Sequence, residues 1–256
     1  MGMNDNYALL AKTLADSLAL GQPPIALCFT DAVPDGVERF KGRVPAGCRF
    51  WEDAATQGFA TSSADHSLCA IGVHTHNLEP SATQQADLSD ALRVFEQLGY
   101  VREQDLTLIP ILQSRSQFVT YFPLAATPLP PDVVILFVKA NQALLLSEAT
   151  QQVESQSPPA MGRPACAVVP QVMNTGRAAM SLGCCGARAY LDLLADDVAI
   201  FAIPGPKLEM YAARIQALAG ANAVLSRFHQ IRRGDVQAGR SPSVQESLAA
   251  MELSEV

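Results

Sequence analysis

The sequence predicts an α/β protein made of two similar halves, an internal duplication packed with pseudo-two-fold symmetry, whose mixed sheet carries flanking helices. Three observations lead there. Short apolar runs alternate with stretches of helical periodicity. Two of those runs, starting at Ile25 and Val133, begin 108 residues apart. Cysteines also recur in pairs, Cys48 with Cys69 and Cys166 with Cys184, so the offsets between halves are 118 and 115. Near-constant offsets across three landmarks are what a duplicated unit leaves behind. The halves span 1–126 and 132–231, joined by a linker at 127–131, Thr127-Pro128-Leu129-Pro130-Pro131, and followed by a polar tail at 232–256. All of this is expected to form one compact unit.

Asn4 or Asp5 can cap a first helix whose face carries Tyr7, Leu10, Leu14 and Leu18, and Gly21 with Pro23-Pro24 ends it. Pro24 to Thr30 then reads as a buried strand, in which Cys28 is a small core residue. Phe50 to Gly58 is a predicted helix, Ser62 to His66 a loop, and Cys69 opens the next segment. Ala86 to Leu98 predicts a helix covering the sheet through Leu88, Leu92, Phe95 and Leu98, while Leu106–Leu112 and Gln117–Leu124 are β-rich. After the linker come a strand at Asp132–Val138, a helix at Asn141–Val153 and a loop at Gln156–Pro164. Short strands or turns at Ala165–Val169 and Ala178–Leu182 flank a helix at Pro170–Gly176, and Val198–Ile203 is a further strand. Lys207–Leu218 and Asn222–His229 are read as two helices.

The 256 residues are 49% apolar, enough for a sizeable core. With 18 basic against 25 acidic residues, a net charge of -7 and no basic run, nucleic acid is not an expected partner. The longest strongly apolar run, Val133–Val138, is too short for a membrane helix. Met1 to Tyr7 lacks the pattern of a secretory signal, and Asn6 stands where a myristoylation signal needs Ser or Thr. A cytoplasmic protein is expected, with a small molecule or a redox protein as partner and an oligomeric state the sequence does not fix. In that compartment six cysteines fit metal binding or redox chemistry better than a disulfide framework.

If the halves pack about a two-fold, Cys48, Cys69, Cys166 and Cys184 meet at their junction, which is the ligand count of a tetrahedral zinc or an iron–sulfur cluster. The segments Gly42-Arg43-Val44-Pro45-Ala46-Gly47-Cys48-Arg49-Phe50-Trp51, Cys69-Ala70-Ile71-Gly72, Gly162-Arg163-Pro164-Ala165-Cys166, Asn174-Thr175-Gly176-Arg177 and Ser181-Leu182-Gly183-Cys184-Cys185-Gly186-Ala187-Arg188 resemble the domain of unknown function 169 family, over roughly residues 7 to 219. That resemblance implies membership and no activity. It places Cys185 where a variable residue is expected, so Cys185 stands outside the ligand set.

Structural zinc usually takes two cysteines from one tight knuckle, a spacing absent here, whereas a cubane can accept single cysteines from four separate loops. A 4Fe-4S cluster is therefore the first expectation and zinc the alternative. Gly47, Gly72, Gly183 and Gly186 would let backbone approach a bulky inorganic group. Arg49, Arg177 and Arg188 could offset thiolate charge or hold an anionic ligand, and Asn174 belongs to the same motifs. His74 and His76 would share a strand face, where a surface pair is the plainer reading and a contribution of His76 to the thiol site the sharper one. Phe50, Trp51 and Phe59 read as core. Two further readings stand beside the cluster: a non-redox binding or scaffold protein with structural thiols, and an enzyme using a thiolate of Cys184 or Cys185. No nucleophile elbow, P-loop, zincin or dinucleotide motif is present.

Overall fold

The computed structural model describes residues 3–251. Met1 and Gly2, on which the leader and lipid-anchor readings partly rest, lie outside them, as do residues 252–256 of the expected tail. In chain order the elements are α1 (Met3–Leu18), β1 (Ile25–Thr30), α2 (Arg49–Asp53), β2 (Phe59–Thr61), α3 (Ala70–Thr75), α4 (Ala82–Gln97), α5 (Glu103–Leu106), β3 (Phe118–Pro123), β4 (Val133–Lys139), α6 (Ala140–Glu154), β5 (Ala160–Met161), α7 (Val168–Thr175), β6 (Ala179–Ser181), α8 (Cys185–Tyr190), β7 (Val198–Pro204), α9 (Leu208–Gln237) and α10 (Val244–Ala249).

The seven strands form one mixed sheet in the order β2-β3-β1-β4-β7-β6-β5. Every pairing is antiparallel except β5 with β6. The two apolar runs, β1 and β4, lie side by side at its centre, buried from both faces, which is why they are apolar without alternation. Their ladder is short. It pairs Ile25 with Ile135, Ala26 with Val134 and Leu27 with Val133, and beyond it the Asp132 carboxylate accepts from the Phe29 amide at 2.7 Å.

Side chains alternate across the sheet with the strand period of two. One face, carrying Ala26, Val134, Leu136, Phe201 and Ile203, is covered by α1, α6 and α9. The other, carrying Ile25, Leu27, Val119, Tyr121, Ile135 and Ala202, packs against the cysteine-bearing loops and short helices. Cys28 is buried on β1, in step with Ala26, and its charge is felt by Tyr7 of α1. It is thus a core residue on the helix-covered face, and burial pushes its thiol up to about 11.

Several expectations are corrected. Leu106–Leu112 is not a strand: α5 and irregular chain occupy it, and Leu108 is 77% exposed, so no sheet edge receives it. The helix expected from Ala86 begins at Ala82 behind a Ser81–Gln84 capping box. It does not cover the sheet, since Gln84 is its only buried residue and its apolar stripe lies half-exposed. Phe50–Gly58 is helical only to Asp53. Ala165–Val169 is the entry to α7. The two expected C-terminal helices are one, because exposed Gly220 is tolerated inside α9. That helix runs on into the segment read as a polar tail. There α10, opened by a Ser243–Glu246 capping box, buries Ser247 and is followed by buried Met251. No helix among the described residues is long and apolar enough to cross a membrane.

Candidate functional site

On the face opposite α1, α6 and α9, four short turns each present one cysteine. Cys48 immediately precedes α2, Cys69 precedes α3, Cys184 precedes α8, and Cys166 sits in the single turn that leads into α7. Cys48, Cys69 and Cys166 are buried and Cys184 is half-buried. The four are electrostatic neighbours. Burial pushes the Cys48 thiol up to about 12, with Cys69 and Cys184 adding to the rise. Cys166 is held well above the ordinary thiol range, first by burial, then by Cys69, with Cys48 and Cys184 contributing too. Cys69 is raised by burial and by Cys184, against backbone hydrogen bonds from Gly47 and Gly72.

Polar hydrogens are supplied to these sulfurs locally. Thr75 Oγ1 donates to Cys166 Sγ at 3.3 Å, and the Ala187 amide donates to Cys184 Sγ at 3.4 Å. Two glycines are required beside Cys69. A Cβ on Gly72 would lie 3.0 Å from Cys69 Sγ, and one on Gly47 would lie 2.8 Å from His66 Nδ1 and 3.7 Å from the same sulfur.

Two histidines and a tyrosine complete the surroundings. His66 and His76 are buried with ring centroids 6.2 Å apart, and burial drives their pKa values down to about 4 and about 3, so both imidazoles are neutral. His66 Nδ1 and both ring nitrogens of His76 make no hydrogen bond, nor does Trp51 Nε1. The Tyr121 hydroxyl lies near Thr61, whose own proton goes to the Val119 carbonyl, and no hydrogen bond to the phenol meets normal geometry. Tyr121 packs in one buried cluster with Cys48 and Cys166, and after burial Cys69, Cys166 and Cys48 raise its pKa. Buried polar atoms are nearly always paired, so this concentration of orphans marks the cysteine face as chemically unusual.

His76 is therefore no member of a surface pair. It closes helix α3, and only His74 is exposed. The other expected helpers are placed differently from the expectation. Arg49 pairs with Glu52, Asp53 and Asp192. Arg188 clamps the carbonyls of Leu182, Ala195 and Val198. Asn174 bridges Ile111 and Gln113. Arg177 is exposed past the end of α7. Arg49, Arg188 and Asn174 hold loops in place, and among the described residues no Lys or Arg donates a hydrogen bond to the sulfur of Cys48, Cys69, Cys166 or Cys184. Cys185 is exposed, 3.4 Å from an Arg163 guanidinium nitrogen that also lies over Tyr100. Sequence reasoning missed His66 and Tyr121. In the sequence His66 reads only as the end of a loop, and Tyr121 becomes visible only through strand register.

No group of three or more His, Cys, Asp or Glu side chains among the described residues is arranged to hold a metal ion. A family profile, described as an uncharacterised ArCR group and designated DUF169, matches residues 13–214. The chain belongs to the DUF169 family. No curated protein and no solved structure matches it. The match takes in all four clustered cysteines of this DUF169 protein and stops within α9, so the end of that helix and α10 lie outside the shared region.

Proposed function

We propose that this DUF169 protein holds a 4Fe-4S cluster through Cys48, Cys69, Cys166 and Cys184 and uses it for electron transfer or small-ligand binding. The observation that carries the reading is four thiols, one from each of four separate turns, of which Cys48, Cys69 and Cys166 are each raised in part by others of the set, on a face where buried polar atoms lack partners. In a cubane each cysteine binds its own iron, which suits single cysteines from separate segments. Structural zinc usually takes two of its cysteines from one tight knuckle, and here each cysteine comes from its own turn. Iron would supply the positive charge that the nearby arginines do not. The four thiols would give up their protons on binding, as thiolate ligands must.

The same proposal includes the duplication. Each half contributes strands in one order outward from the centre, β1-β3-β2 and β4-β7-β6. Cys48 comes after central strand β1 and Cys69 after outer strand β2, while Cys184 comes after β6 and Cys166 is reached from central strand β4 through α6 and the edge strand β5, which has no counterpart before Cys48 among the described residues.

A second reading, chemistry at an exposed thiol, is favoured by the Arg163 contact to Cys185. Anaerobic purification with iron, sulfide and zinc counts and a visible spectrum separates the readings. The cluster predicts a brown protein with about four iron and four sulfide per chain, lost in Cys166→Ser and retained in Cys185→Ser. A protein that stays metal-free after cluster reconstitution would sink the proposal, and one zinc per chain would replace it with a structural site.

A further inference from the structure

A groove of about 490 Å³ opens beside the cysteine face, between the chain at 40–45, helix α2 and the end of α8. Its lining includes Lys41, Arg43 and Arg49 against one acid, Asp53, with the rings of Phe40 and Tyr190. A local excess of cations is notable on a chain whose net charge is -7.

The three cations are not equally committed. Arg49 is already matched by Glu52, Asp53 and Asp192. Lys41 pairs only with Glu38, and both side chains are highly exposed, so the pair is weak and easily exchanged. Arg43 forms no ion pair or hydrogen bond among the described residues. Its guanidinium is therefore available for a bidentate contact to a carboxylate or phosphate. The volume lies within the range of small-molecule sites, and the two rings offer flat apolar surface to the body of a ligand.

The groove also adjoins the thiols. Cys48 directly precedes Arg49, and a Cβ on Gly186 would lie 3.8 Å from the Tyr190 ring and 4.0 Å from Cys184 Sγ, so ring and sulfur share one side of α8. We propose that this groove binds a small organic anion with one flat ring and one carboxylate or phosphate, its acid group on Arg43 and Lys41 and its ring between Phe40 and Tyr190. The inference goes beyond the cluster and does not require it.

Calorimetric titration of the metal-free full chain with benzoate, phenyl phosphate and inorganic phosphate tests it. At least one ring-bearing anion should bind, more weakly as salt rises, and the preferred one identifies the acid group as carboxylate or phosphate. Arg43→Ala should weaken binding roughly tenfold or more, the scale of losing a charge-assisted fork, and Arg43→Lys should fall between. Arg93→Ala, on exposed α4, should bind like the parent. Arg43 is exposed, so circular dichroism of these variants should match the parent's. Absence of heat with all three probes, or binding that Arg43→Ala leaves intact, would overturn the site. Inorganic phosphate binding as tightly as phenyl phosphate would overturn the aromatic ligand.

Discussion

The two faces of the sheet solve the burial of polar groups in opposite ways. Beneath α1, α6 and α9 the buried polar side chains are mostly paired, the exceptions being Thr30 Oγ1 on β1 and one Arg232 guanidinium nitrogen on α9. Tyr211 donates to Thr150, Glu154 accepts from the Ala178 amide and from Lys207, and Gln142 donates to the carbonyls of Leu18 and Ala19. On the cysteine face His66, His76, Tyr121 and Trp51 keep polar atoms unpaired among buried thiols. An unpaired buried group costs about 1–3 kcal/mol, so the first face is organised for stability while the second gives some of it up. Such sacrifices concentrate at functional sites.

Acid should break the cysteine face first and most strongly. The imidazoles of His66 and His76 have folded pKa values of about 4 and about 3, below the unfolded value near 6.5. The unfolded chain therefore takes up protons that the folded one refuses. Their contribution is complete above pH 6.5 and is lost as pH falls toward 4, by roughly 1 kcal/mol per pH unit for each ring. Urea denaturation of the metal-free protein across that window should show the decline, and His76→Gln should flatten it. An unchanged slope in that variant would place the protons elsewhere. In the other direction the raised thiols of Cys48, Cys69 and Cys166 remove stability as pH rises above the unfolded thiol value near 9.

A smaller effect separates two glycines. Gly72→Ala pushes a methyl against Cys69 Sγ and should cost about 1–3 kcal/mol. Gly220→Ala, in open space within α9, should instead stabilise by about 0.5–1 kcal/mol. Thermal melts of both variants check the signs.

The smallest and most direct comparison uses the two buried tyrosines. Tyr211→Phe loses the bond to Thr150 and should cost about 1 kcal/mol. Tyr121→Phe removes an unpaired hydroxyl and should be neutral or mildly stabilising in metal-free protein. Equal losses would show that Tyr121 is paired after all.

What the sequence made legible follows the same division. Apolar runs at Ile25 and Val133 identified the central strands because burial on both faces leaves a continuous signal, and helix α1 was readable from its single apolar stripe. The cysteine pairs raised the expectation of a shared site through spacing alone. Leu106–Leu112 misled, because β-rich composition cannot tell whether a sheet edge is within reach. His76 misled as well, since a polar residue between polar neighbours reads as surface until tertiary packing buries it. The arginines looked like thiolate partners on proximity in sequence, but carbonyls and carboxylates on neighbouring loops claimed Arg188 and Arg49.

The short ladder between β1 and β4 has a mechanical consequence. Strands β1 and β4 meet along a seam of three residue pairs, extended by the Asp132 side chain. Cys48 and Cys69 come from the chain before β4 and Cys166 and Cys184 from the chain after it, so the proposed cluster would act as a rivet between the two. Such a rivet would share the load with contacts that already cross between the two sides, Arg49 with Asp192, Asn174 with Gln113 and α1 against α9.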